Sequence, residues 1–161
     1  MSVSTKEKEV QKLIAKEAAK ATTIAALPIP ILDLVGVVFV QVNMIEKLAN
    51  IHGISLNGKQ KIITTTIIST AVVKLITEFA ILLAKKTNIN KVFGQSMIEA
   101  SIVGLSTGIV GEMYHLHFEN GGTADNINFD SFIEYIQYQI ASDKLSVQNI
   151  SKQLVGAALP A

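Results

Sequence analysis

The sequence predicts an all-α fold: a compact bundle of about four long helices followed by two shorter C-terminal ones. Three observations predict it. Apolar residues recur at the 3.6-residue period of a helix rather than in the alternation of a half-buried strand. The breaks between periodic stretches carry Pro, Gly and Asn in the order that starts and stops helices. Hydrophobic residues make up 49% of the chain against 17% charged, enough apolar surface for helices buried on most sides.

The first helix runs from about Thr5 to Ala26. Val10, Leu13, Ile14, Ala18, Ala21 and Ile24-Ala25 form its apolar stripe, with lysines and glutamates opposite. Pro28 disfavours helix at Leu27, whereas Pro30 suits the first turn of a second helix, where a missing N–H costs no hydrogen bond. That second helix reaches about Ile51 and stops at Gly53, a natural left-handed end. It is the element around which the rest is arranged. Leu34 to Val40 are apolar on every side, and Gln41, Met44, Ile45 and His52-Gly53 complete the pattern. Asp33, in the first turn, gains from the helix dipole, typically about 0.3–1 kcal/mol. A second reading places it in a buried polar set with Lys74, Glu78 or Glu99, where partners are obligatory because unpaired burial costs several kcal/mol. The helix-start reading is preferred, and the two are compatible.

Ser55 to Gly58 form a turn, and a third helix spans about Lys59 to Lys86. Its segment 62–84 is 23 residues long, interrupted only by Lys74 and Glu78. Twelve Leu, Ile, Val and Phe residues there contribute roughly −4 to −7 kcal/mol towards bilayer insertion. A central charge costs about 2.5–3.5 kcal/mol, so two charges and several hydroxyls leave a lone span marginal. After a break at Thr87 to Asn90, a fourth helix runs from about Lys91 to Phe118. The third and fourth helices together make a hydrophobic hairpin with the capacity to enter a membrane. Lysines flank the apolar segment on both sides, so charge defines no inside face.

The fourth helix carries small residues at Ser96, Ala100, Gly104 and Gly108, with Gly111 nearby. Each helical glycine costs roughly 1 kcal/mol relative to alanine, so close approach of a neighbouring helix is the expected compensation. Packing is preferred to a ligand role, and Leu at 108 is expected to overpack by about 1–3 kcal/mol. Asn120-Gly-Gly122 ends this helix. A more polar tail over 122–161 holds shorter helices at about Phe129 to Ala141 and Ser146 to Ala158. The whole chain reads as one domain.

Chemical motifs are few. Gly53 to Gly58-Lys59 nearly matches a phosphate-binding loop, but a helix precedes it and Gln60 stands where a hydroxyl is needed, so nucleotide binding is not expected. Glu112, His115 and Glu119 share a helical face, yet no second Glu-x-x-His accompanies them; a solvated helix end is the preferred reading, with no metal or cofactor expected. No nucleophile has a paired base, which argues against an enzyme. All fourteen basic residues are Lys, so no guanidinium fork serves phosphate or guanine, and nucleic acid is excluded as a partner. With no Cys there are no disulfides or thiolate nucleophiles. The mixed-charge opening stretch does not read as a signal peptide.

Ala21 to Ala26, Pro28-Ile-Pro30, Asp33, Gln41, Met44-Ile45 and His52-Gly53, in this order, resemble the family catalogued as domain of unknown function 697. His52 stands where that family usually has Tyr, and Ser106 to Tyr114 resembles its small-residue segment. The resemblance covers about Glu17 to Gly121. Such domains occur at the C-terminus of Era-like GTPases and in YcjF-like bacterial inner-membrane proteins. The resemblance implies a non-enzymatic, membrane-associated regulatory or assembly module, with membrane lipid and a GTPase acting in trans as partners. It also implies a place at the bacterial inner membrane or its cytoplasmic face. The alternative is a cytoplasmic helical adaptor that forms a homo-oligomer through its glycine-rich helix. The residues expected to carry structure or interaction are Pro28, Pro30, Asp33, Gln41, Gly53, Lys74, Glu78, Gly104, Gly108 and Gly111.

Overall fold

Three long helices enclose one core in the computed structural model, which describes residues 3–26, 30–68, 70, 95–128, 130, 131, 134, 135 and 138. They are α1 (Val3–Ala25), α2 (Pro30–Ile51) and, after a third helix α3 whose described part opens at residues 58–68, α4 (Gln95–Glu119). No strand occurs among the described residues. In α1 the stripe Val10, Ile14, Ala18 and Ala21 is buried, as a 3.6-residue period requires. Glu17 departs from the expected charged outer face: it lies three residues after Ile14 and four before Ala21, so the same period buries it, at 1% exposure.

In α2 the buried set steps by threes and ones through Val37, Val40, Gln41, Met44, Ile45, Leu48 and Ala49. This face packs on both α1 and α4. Among the described residues the most extensive helix contact is between α1 and α4. Between residues 100 and 111 of α4 only Leu105 and Gly108 are not fully buried, so that helix runs through the centre of the bundle. Tyr114 and Phe118 continue its core face with ring centroids 5.7 Å apart.

The helix ends follow local chemistry. Gly53, at φ 74°, ends α2. Its N–H reaches the Asn50 carbonyl at 3.0 Å, and the Ile54 N–H reaches that of Ala49 at 2.8 Å. This paired closure satisfies carbonyls that would otherwise be stranded at the helix end. The same device ends α4, with Gly121 at φ 81° and the Gly122 N–H on the His117 carbonyl at 2.9 Å. At the start of α3, Asn57 Oδ1 accepts from the Gln60 N–H and Gln60 Oε1 accepts from the Asn57 N–H, both at 2.9 Å. That is a reciprocal capping box. Of the expected tail helices, residues 130, 131, 134, 135 and 138 are helical, and the stretch 146–158 lies outside the described residues.

Among the described residues no helix is long and apolar enough to cross a membrane. The expected membrane hairpin needs two such helices, and α4 is not one of them. Of its other arm, residues 69 and 71–84 lie outside the described residues.

Candidate functional site

Three helices converge in a polar cluster at one end of the core. His52 follows the last turn of α2, His115 lies near the end of α4, and Glu7 near the start of α1. His52 Nε2 and His115 Nδ1 are 2.9 Å apart, so one ring donates the hydrogen they share. The other nitrogen of His115, Nε2, is 3.1 Å from Glu7 Oε2 and 3.7 Å from Glu119 Oε2. His115 is 4% exposed, whereas both carboxylates are about half open to solvent. Burial pushes His52 below its ordinary 6.5, and the nearby Lys6 and His115 charges add to this, outweighing Glu119 and Glu7. A hydrogen bond from the Gln11 amide, with help from His115, holds Glu7 below its ordinary 4.5 against the opposing effect of burial.

This arrangement corrects the expectation of a solvated helix end. His115 is flanked on its own helix by Tyr114 and Phe118, both core residues, and is buried with them. Glu119 stays beside it, but the second carboxylate is Glu7 of α1, 108 positions away, not Glu112. Spacing within one helix could not reveal a partner supplied by another.

Two further polar groups tie the bundle together. Glu17 receives Lys47 Nζ at 2.8 Å and Lys20 Nζ at 3.0 Å, which links α1 to α2. Burial alone would raise its pKa, but the two ammonium groups prevail and hold it below 4.5. Gln41 Nε2 donates to Thr107 Oγ1 at 2.8 Å, joining α2 to α4, and Thr107 donates to the Val103 carbonyl. Gln41 Oε1 is buried with no hydrogen-bond partner among the described residues.

The glycines of α4 divide. A methyl at Gly104 would collide with Thr22 Oγ1 and lie 3.2 Å from the Ala18 carbonyl oxygen. One at Gly111 would lie 2.9 Å from Ile14 Cγ1 and 3.0 Å from Met44 Sδ. At Gly108 it would meet nothing within 4 Å among the described residues, so the overpacking expected there belongs to positions 104 and 111. At the near-match phosphate loop, Gln60 occupies its place as the helix-capping partner of Asn57, and its amide also donates to Asp125 Oδ2 at 2.6 Å.

Pro30 and Asp33 lie in the first turn of α2, but their side chains are outside the described residues, as are Pro28, Lys74 and Glu78 entirely. Gly53 ends α2, and among the described residues nothing lies within 4 Å of where its side chain would start. The outer side of α2 carries what sequence reading did not single out. Val35 and Phe39, one turn apart, are 64% and 67% exposed.

The family model described as a domain of unknown function, DUF697, matches residues 2–156. No curated protein and no solved structure matches the chain.

Proposed function

Because the chain belongs to the DUF697 family of domains of unknown function, we propose that it is a non-enzymatic helical module with a regulatory or assembly role, held against a membrane surface. The observation that carries this reading is the outward Val35–Phe39 pair on α2. Scattered single apolar side chains are ordinary on a protein surface. Here a two-thirds exposed Phe stands beside an equally exposed Val in the most apolar stretch of the helix. A ring and a branched side chain on one face suit the boundary between headgroups and acyl chains. The GTPase partner acting in trans, and the bacterial inner membrane or its cytoplasmic face as the place of action, rest on the family resemblance. The adaptor alternative draws less support, because Gly104 and Gly111 already face neighbours within the chain.

Fractionation of cells expressing the protein tests this directly. Recovery with membranes, and release by a carbonate wash, is the result for a module lying on the surface. Retention through the wash would point to an embedded hairpin. Complete recovery as a monodisperse species without membranes would contradict the proposal and favour the cytoplasmic adaptor.

A further inference from the structure

His115 Nε2 and the carboxylates of Glu7 and Glu119 converge so that their ligand atoms all lie within 4.8 Å of one another. The nitrogen is 3.1 Å from one carboxylate oxygen and 3.7 Å from the other. A tetrahedral ion with bonds of about 2.0–2.1 Å holds its donors roughly 3.3 Å apart, so the two spacings bracket what zinc requires. The second observation is independent of the carboxylates. His115 is 4% exposed and its far nitrogen, Nδ1, is held by His52 at 2.9 Å. A metal-binding imidazole characteristically gives its other N–H to a fixed acceptor, which sets both tautomer and ring direction. With an ion bound, His52 Nε2 accepts the Nδ1 hydrogen, and the ion takes the place of the proton that His115 Nε2 otherwise shares with Glu7.

We infer that Glu7, His115 and Glu119 form a site for one divalent transition ion of the zinc type, with His52 as the positioning residue behind His115. One nitrogen and two carboxylate oxygens suit zinc, and a fourth position remains for water. Both carboxylates are about half exposed, so the ion enters from solvent while the imidazole anchors it from within. The bound ion joins the first turns of α1 to the last turns of α4 and replaces like-charge repulsion between the two carboxylates with shared attraction.

The test is calorimetric titration of the tag-free full chain with Zn2+, alongside Co2+, whose visible absorption reports coordination geometry. One ion per chain and a tetrahedral Co2+ spectrum are expected. The Glu7→Gln/Glu119→Gln variant changes only half-exposed groups, so its fold is expected to persist by circular dichroism. It should lose at least about 100-fold in affinity, more than a supporting residue gives. His52→Ala should weaken binding roughly 10- to 100-fold without changing the stoichiometry. His117→Ala is the control: its ring is engaged with the Thr123 carbonyl and Asn126, and affinity should not change. Absence of one-to-one uptake overturns the site, as does equal uptake by the folded double variant. Unchanged affinity in His52→Ala removes the role given to His52.

Discussion

Gly104 and Gly108 stand one turn apart on α4, and substitution should move stability in opposite directions at the two. Thr22 Oγ1, which a methyl at 104 would strike, is held at 3.0 Å on the Ala18 carbonyl, so it cannot swing away without giving up that bond. Gly104→Ala should therefore destabilise by about 1–3 kcal/mol. Gly108→Ala meets no such obstacle among the described residues and should stabilise by up to about 1 kcal/mol through helix propensity. Urea denaturation of the two variants checks both signs. Glu17 offers a pH test. Its pKa is lower folded than unfolded, so its contribution is present in full above about pH 4.5 and is lost as pH falls through the folded value. Glu17→Gln should cost roughly 1–3 kcal/mol at neutral pH. The curves of variant and parent should converge in acid, and a gap independent of pH would contradict the ion-pair account. At Gln41 the expectation is the reverse of its burial. Gln41→Met keeps the volume, removes an amide oxygen without a described partner, and leaves Thr107 bonded to the Val103 carbonyl. Its cost should stay below about 1.5 kcal/mol in the same assay.

Between α2 and α3 the chain turns on two adjoining devices, the left-handed Gly53 and the Asn57–Gln60 capping box. Gly53→Ala forces a side chain into the left-handed region and should cost about 1–2 kcal/mol. Asn57→Ala should cost about 0.5–2 kcal/mol. Thermal unfolding measures both. The glycine stop was legible in the sequence, because only a left-handed residue closes a helix in that way. The capping box is present in the sequence as Asn57-Gly-Lys-Gln60, at the junction of the expected turn and the expected third helix. Helical geometry also explains which glycines pack. A seven-residue step returns to within about 20° of its start, whereas a four-residue step departs by about 40°. Gly104 and Gly111 thus share a face more closely than Gly104 and Gly108 do.

At the scale of the molecule, the all-α architecture was legible because periodicity and helix breaks are local properties. The family was legible from the order of Pro30, Gln41 and Gly53 along the chain. The polar cluster was not, because Glu7 in α1, His52 just after α2 and His115 in α4 meet only once the three helices pack. Nor was the outward side of α2, since a stretch apolar all round does not show which residues the bundle leaves uncovered. That uncovered side supports the central claim, and vesicle flotation tests it most directly. Purified protein is mixed with vesicles of bacterial lipid composition, and the parent is compared with Phe39→Glu. The exposed position of Phe39 lets the substitution leave the fold intact, which circular dichroism checks. The parent should float with the vesicles, and folded Phe39→Glu should remain at the bottom of the gradient. A parent that does not float, or a folded variant that floats equally well, would contradict the account.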